Sequence, residues 1–483
     1  MMRSAGLIAL VIAPLTISIS APVSVAAVPE TAAEPSAATV AEVVQARVGA
    51  TRLPGVAVAV VHDGRVVHVA GYGHGPGGEP VDENTPMRLG GASESFTATA
   101  LAQLAGPGFV PLDDPVVAHL PEFTTADPRS ARITVRQLLD HTSGLPATVP
   151  AGEPRSLEEA VAGLRDVTLV AEPGERRVRS EAGYQVAARL LEVRTKRPFA
   201  ESLHDRVLFQ TGMLDTAATA GTRDPVPGLV DGHDRFLGLS RAQQEPDRFV
   251  NGSGGIVAPA QDVATWLGFN AGYGLRTVLA GDGLREVQRL GWEDRSGGAG
   301  PPELWLRGRT ATSSATLVLL PDTRYGVAVL ANSREPLDAG TGAGPSEVDA
   351  LAADLVALTR GDTPAAPGPP IAFLAELLLV AVAMTAMLVA AVALLRSGRW
   401  ARRFAGGGLT PPLLRLLPYL LPLVLLAFLP RLAAPLVGGG TFADLAEVWL
   451  TALVAAEVVA ACGLVVAAAR LRALVRVSPR TAR

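Results

Sequence analysis

The chain has 483 residues, 48% of them hydrophobic and only 18% charged. A soluble domain ordinarily carries about 25% charged residues, so apolar sequence is concentrated somewhere and membrane segments are the first expectation. Basic and acidic residues nearly cancel, 42 against 46, which excludes a broadly basic nucleic-acid surface, and the single cysteine, Cys462, excludes a disulfide framework or a cysteine-based zinc site. No metal or other cofactor is expected.

Met1, Met2 and Arg3 precede an apolar run from Ala5 to Ile19 and small residues at Val25, Ala26 and Ala27. This pattern predicts a secretory signal peptide over 1–27, the alternative being an uncleaved anchor. Residues 28–40, rich in Ala, Pro, Glu and Thr, read as a linker. From 41 to 360 the texture is that of one exported α/β domain. Val56 to Val61 and Val66 to Ala70, flanking Asp63-Gly64, predict a hairpin. Helical patterns follow at 93–105, 134–140, 157–164 and 182–193. A second hairpin is expected around Pro321-Asp322. Strands at both ends enclosing helices suggest an antiparallel sheet whose termini meet, with a helical insert.

Gly361 to Pro370 carries four prolines and marks a boundary. Three apolar stretches follow, at 371–395, 413–432 and 445–469, each about long enough for a membrane span. The middle one holds Pro418, Pro422 and Pro430 and should be kinked. Arg396, Arg399, Arg402 and Arg403 follow the first stretch, and Arg470, Arg472, Arg476, Arg480 and Arg483 lie in the tail from 470 to 483. Positive-inside asymmetry puts both groups in the cytoplasm and the large domain outside, making a multi-pass protein of the cell membrane. Glu457, near the middle of the third stretch, either faces a neighbouring helix or has a transport or sensing role.

Ile133-Thr-Val-Arg-Gln-Leu-Leu-Asp-His-Thr-Ser-Gly-Leu-Pro146 resembles the signature stretch of the serine β-lactamase-related family, which includes class C β-lactamases, D-alanyl-D-alanine peptidases and esterases. The resemblance continues through Leu53-Pro-Gly-Val-Ala-Val-Ala-Val-Val-His-Asp-Gly64, Pro111-Leu-Asp-Asp-Pro-Val116, Thr211-Gly-Met-Leu-Asp-Thr216, Gly254-Gly-Ile-Val257 with Asp262, Leu319-Leu-Pro-Asp322 and Leu330-Ala-Asn-Ser333. It implies a β-lactamase/transpeptidase-like fold, an antiparallel sheet flanked by helices with a helical subdomain, here followed by three membrane helices.

The same resemblance places three catalytic motifs. In relatives S-x-x-K sets a serine and a lysine on one face of a helix so that the amine helps remove the hydroxyl proton. Y-x-N adds a phenol that shares the proton, and a K-T-G or H-x-G motif lies beside the oxyanion hole. Here the serine position falls on Gly91 and the lysine position on Glu94, while the tyrosine and asparagine positions fall on Arg179 and Glu181. The third motif falls near Trp305-Leu306-Arg307. One check needs no alignment: Lys196 is the only lysine and Val193 stands three residues before it, so no S-x-x-K exists in the chain. None of the four asparagines follows a Tyr-x or Ser-x pair. His62-Asp63-Gly64 has the H-x-G form but sits in a predicted hairpin turn.

Catalytic residues are therefore not expected, and the protein reads as a pseudoenzyme with a binding or scaffolding role. Glu94 and Arg179 are of opposite charge at neighbouring family positions and predict an ion pair across the former pocket, with Glu181 extending it; drift of an unused site is the alternative. Ser93, Trp305 and Arg307 are candidate pocket residues for a peptide or cell-wall-like small ligand. A hydrolase using Ser93 with Glu94 as base is the competing reading, disfavoured because adjacent helical residues point apart and an ordinary carboxylate is a poor base for a hydroxyl. His141 is expected to be structural.

Overall fold

The computed structural model describes residues 34–105, 108–147, 149, 154–271, 290–296, 301–335, 346–367, 371–404, 410–437 and 442–477. The expected signal peptide and the end of the basic tail lie outside the described residues. The stretch read as a linker to residue 40 is shorter than expected, because helix α1 (Ala37–Thr51) starts inside it. Ser36 is the reason: its hydroxyl accepts the Thr39 N–H and so caps the Ala- and Val-rich run that follows.

Strands β1 (Gly55–His62) and β2 (Arg65–Gly73) form the first hairpin. Asp63 and Gly64, at φ 51° and 76°, make its turn in the left-handed conformation that Asp-Gly accepts readily. Then come β3 (Met87–Arg88), a 3₁₀ turn over Gly90–Ser93 and helix α2 (Glu94–Ala105). The helical insert includes α3 (Glu181–Thr195) and ends in the helical turns from Phe199 to Thr211. It is followed by the short strand β4 (Ala217–Ala218), the hairpin β5 (Gly232–Phe236) and β6 (Leu239–Gln243), strand β7 (Ile256–Ala258) and helix α4 (Ala260–Ala271). Strands β8 (Glu293–Asp294), β9 (Leu304–Arg309), β10 (Ser314–Leu320), β11 (Tyr325–Ala331) and β12 (Ser333–Arg334) precede helix α5 (Glu347–Thr359).

The main sheet is antiparallel in the order β2-β1-β11-β10-β9-β8, so the first and last long strands are neighbours. Both faces are covered, which explains why β1, β10 and β11 read as unbroken apolar runs. Alternate side chains divide between two cores. Val56, Val58, Val60, Trp305, Val318, Val327 and Val329 pack on α1 and α5, whereas Ala57, Ala59, Leu306, Leu317 and Leu330 pack toward α2, α4 and the insert. Each fully buried Val or Leu stabilises the fold by roughly 1.5–3 kcal/mol. Helix α2 is buried on nearly every side. Its small Ala, Ser and Thr residues permit that, with Thr97 and Thr99 hydroxyls bonded to the Gly252 and Ser95 carbonyls, and Trp266 of α4 stacks on its Phe96 with ring centroids 4.2 Å apart.

At the C-terminus stand α6 (Ile371–Leu395), α7 (Leu417–Val437) and α8 (Phe442–Val477). Two helices among the described residues, Phe373–Leu395 and Trp449–Val477, are long and apolar enough to cross a membrane, not the three expected. The apolar part of α7 stops at Ala433, so from Leu417 it covers about 26 Å of a hydrocarbon core about 30 Å thick. Helix α8 breaks at Trp449, with φ −152° and ψ 73°. It then continues past the predicted end at residue 469, held by the Arg470 guanidinium lying over the Tyr419 and Trp400 rings at 4.6 and 4.9 Å. Glu457 is exposed on α8 rather than turned to a neighbouring helix. The buried carboxylate here is Glu376, which accepts a hydrogen bond of 2.6 Å from the Thr451 hydroxyl.

Candidate functional site

The 3₁₀ turn Gly90–Ser93 feeds directly into α2, which sets Gly91 and Glu94 close in space at the head of the buried helix. Arg179, in the segment entering α3, reaches across to them. A Cβ built on Gly91 would lie only 1.7 Å from Arg179 Nη2 and 2.8 Å from its Cζ. The guanidinium therefore stands where a residue-91 side chain would have to be. Arg179 Nη2 is 3.4 Å from Glu94 Oε2, with Glu94 1% and Arg179 37% exposed, so the cation closes the carboxylate off from solvent. The predicted Glu94–Arg179 pair is formed.

Its third member is His141, which the sequence gave no reason to place there. His141 is buried, with φ 63°. Its Nδ1 accepts the Ser180 N–H at 3.3 Å, which leaves the other nitrogen as the proton carrier, and Nε2 donates to Glu94 Oε2 at 3.1 Å. Both ring nitrogens are thus committed, and His141 has no free lone pair to activate a nucleophile. Burial pushes the Glu94 pKa up, but Arg179 and His141 outweigh it and hold Glu94 below the ordinary glutamate value. Tyr184, a phenol packed beside the cluster, donates to the Leu139 carbonyl at 2.6 Å and stacks obliquely on His141 with centroids 5.1 Å apart. Burial raises its pKa well above the usual tyrosine value, and its hydroxyl proton is committed to that carbonyl.

The other candidates disperse. Ser93 Oγ accepts the Ile256 N–H at 3.0 Å, fastening the turn to β7, and Ser95 Oγ donates to the Ala92 carbonyl; Ser93 lines only a void too small for a water molecule. Glu181 opens α3 and is exposed, and His141 is the buried partner of Glu94. Trp305 and Arg307 do not line the pocket. Strand alternation turns both toward α5, where Trp305 packs in the far core and Arg307 lies 2.7 Å from Glu293 and 3.5 Å from Asp349. Lys196 is exposed at the end of α3, about 20 Å along the helix from the site. His62 stacks on Tyr325 at 4.1 Å, confirming a structural role in the hairpin.

The closest approach of β9 to the head of α2 is Gly308, where a Cβ would meet the Leu89 carbonyl oxygen at 1.7 Å and the Ala92 nitrogen at 2.6 Å. Gly308 lies one residue beyond the Trp305-Leu306-Arg307 stretch singled out in the sequence. Both obstacles are backbone and cannot swing away. Gly308→Ala should accordingly cost on the order of 3 kcal/mol or more, read as a lower denaturation midpoint; a change below about 0.5 kcal/mol would contradict this packing.

A three-stranded sheet ordered β3-β7-β4, the head of α2, the His141 loop and β9 together frame the site. A family model described as "Beta-lactamase" matches residues 40–352, and the chain belongs to that family. "Penicillin-binding protein 4" of Amycolatopsis lactamdurans is 31% identical over 166 residues, covering 33% of this chain and 44% of that protein. The match thus spans less than half of the relative's length. The octameric penicillin-binding protein homologue from Pyrococcus abyssi superposes with a TM-score of 0.55 at 22% identity, over 68% of this chain and 78% of that one. The class C β-lactamase from Rhodobacter sphaeroides superposes with a TM-score of 0.51 at 20% identity, over 62% and 94%. At these identities the superpositions speak for the fold alone.

Proposed function

We propose that the protein is a membrane-held pseudoenzyme of the β-lactamase family, whose outer domain binds or scaffolds without hydrolysing acyl substrates. One observation carries this reading: the Arg179 guanidinium occupies the space of a residue-91 side chain and is paired there with Glu94. Loss of the nucleophile alone costs serine hydrolases on the order of a millionfold. The neighbouring hydroxyls of Ser93 and Ser95 are bonded to backbone, and His141 has no spare nitrogen. The Gly91 N–H remains as a donor, and Glu94 disfavours an anion, so the ligand class is a peptide or another neutral carbonyl compound of cell-wall type. The competing reading is a hydrolase with a non-standard nucleophile. Purified full chain should leave a chromogenic cephalosporin and a nitrophenyl ester at the buffer rate; turnover abolished by Ser93→Ala would favour the competitor.

Membrane anchoring by three crossings is part of the same proposal. Glu376, near the start of α6, meets Thr451 of α8, while Trp400, just beyond α6, meets Arg470 late in α8. Helices α6 and α8 therefore run the same way, and the chain between them has to return. Helix α7 is the element available for that return, short as its apolar part is. The arginines from 396 to 403 and from 470 onward then share one side, the cytoplasmic side by charge bias, and the β-lactamase-like domain lies outside. The chain should stay in the membrane pellet after alkaline carbonate washing, and release into the supernatant would contradict anchoring. A third reading, a sensor or transporter-associated protein working through Glu457, would gain support if Glu457→Leu abolished function with insertion intact.

A further inference from the structure

We propose that the tip of the β5–β6 hairpin is a lipid-contacting element that seats the outer domain on the membrane surface, with Leu239 entering the interface. The proposal rests on the reading that α6 spans the membrane. The tip reads Phe236-Leu237-Gly238-Leu239, four residues with no polar side chain. Leu237 and Gly238 both have positive φ, 51° and 70°, the two-residue turn that Asn-Gly or Asp-Gly fills when it faces water. A leucine is sterically disfavoured in that conformation, and an apolar tip gains nothing from an aqueous setting.

The tip touches the outer end of α6. A Cβ on Gly238 would lie 2.9 Å from the Phe373 ring, and Phe373 is the first residue of the apolar span Phe373–Leu395. Glu376, one turn further along α6, takes the Thr451 hydroxyl at 2.6 Å and is only 1% exposed. Glu376 lies three residues into the span, about 4.5 Å along the helix. Leu239 is the next residue in the hairpin and is 68% exposed, so it stands at the depth where headgroups give way to hydrocarbon. Arg241 shares its face of β6, is exposed, and sits about 7 Å further from the tip, at headgroup level. An apolar anchor with a cation behind it suits an anionic bilayer surface.

The hairpin is stiffly joined to the closed site. Glu245, just beyond β6, accepts from the Ala311 N–H at 2.8 Å and from the Thr310 and Thr312 hydroxyls at 2.8 and 2.6 Å. That turn follows Gly308 and Arg309, the wall of the site. Seating the tip in lipid therefore fixes the site's distance from the membrane.

The test uses the full chain carrying Cys462→Ala, reconstituted in phosphatidylcholine–phosphatidylglycerol vesicles. Single positions Leu239→Cys, Leu378→Cys and Asp322→Cys are each labelled with an environment-sensitive fluorophore. Leu378 is 66% exposed inside the α6 span, and Asp322 lies in the β10–β11 turn, at the opposite end of the sheet from the hairpin. The Leu239 label should be quenched by shallow nitroxide lipid at least half as strongly as the Leu378 label, and should be shielded several-fold from aqueous iodide relative to Asp322. If Leu378 is quenched by the lipid while Leu239 behaves like Asp322, the hairpin is in water and the proposal fails with the membrane reading intact. If Leu378 is also open to iodide, α6 does not span and both fall.

Discussion

Arg179→Met should lower the stability of the β-lactamase-like domain by about 3 kcal/mol at pH 7, the low end of the range for stranding a buried charge, since Arg179 itself is partly solvated. The loss arises at Glu94, which keeps only His141 as a partner for Oε2; among the described residues its Oε1 has no hydrogen-bond donor. The pH dependence supplies a sharper signature than the size. In the parent, Glu94 is held below the ordinary glutamate value, so its contribution is present above the unfolded pKa and is lost as pH falls through the lower folded one. Without Arg179, burial becomes the dominant influence and the folded pKa rises above the unfolded one. The variant then gains stability relative to the parent as it is acidified, because protonation neutralises the stranded charge. Denaturant titrations at several pH values between 7 and 4.5 should show the gap between parent and variant closing toward the acid end. A gap that does not change with pH would mean that Glu94 is not the group left unpaired.

The second large effect is a gain of reactivity. On the proposed reading the parent lacks the nucleophile, its base and the proton-sharing phenol at once, and the Arg179 guanidinium stands in the space of a residue-91 side chain. Gly91→Ser alone should therefore remain unreactive toward a fluorescent penicillin and should be destabilised, because the new Cβ must displace the guanidinium from Glu94. The combined variant Gly91→Ser, Glu94→Lys, Arg179→Tyr and Glu181→Asn rebuilds the family constellation on the same backbone. Its acylation rate should rise on the order of a thousandfold or more above the parent, a part of the roughly millionfold that a missing nucleophile costs. Rapid acylation of Gly91→Ser with Arg179 still present would show that the guanidinium does not close the site.

The family was legible because its resemblance resides in short, local strings of sequence. The β1–β2 hairpin, α2 and α3 followed from turn residues and periodicity for the same reason. The opposite signs at residues 94 and 179 were enough to pair them. His141 was not legible as the third member, since its contact with Glu94 spans 47 positions and depends on a left-handed backbone conformation at residue 141. Trp305 and Arg307 were read as pocket residues, yet strand alternation turns both toward α5, a facing that a one-residue change of register would reverse and that is fixed only in three dimensions. In the C-terminal region composition revealed apolar stretches but not the break at Trp449, nor that Glu376 rather than Glu457 would be buried.

The central claim is that no side chain of this family member is available to be acylated. Intact-mass spectrometry of the purified protein after prolonged incubation with a penicillin and, separately, with a fluorophosphonate tests it most directly. The unmodified mass alone is predicted in both samples, whereas a stoichiometric covalent adduct mapped to any residue near the head of α2 would contradict the account.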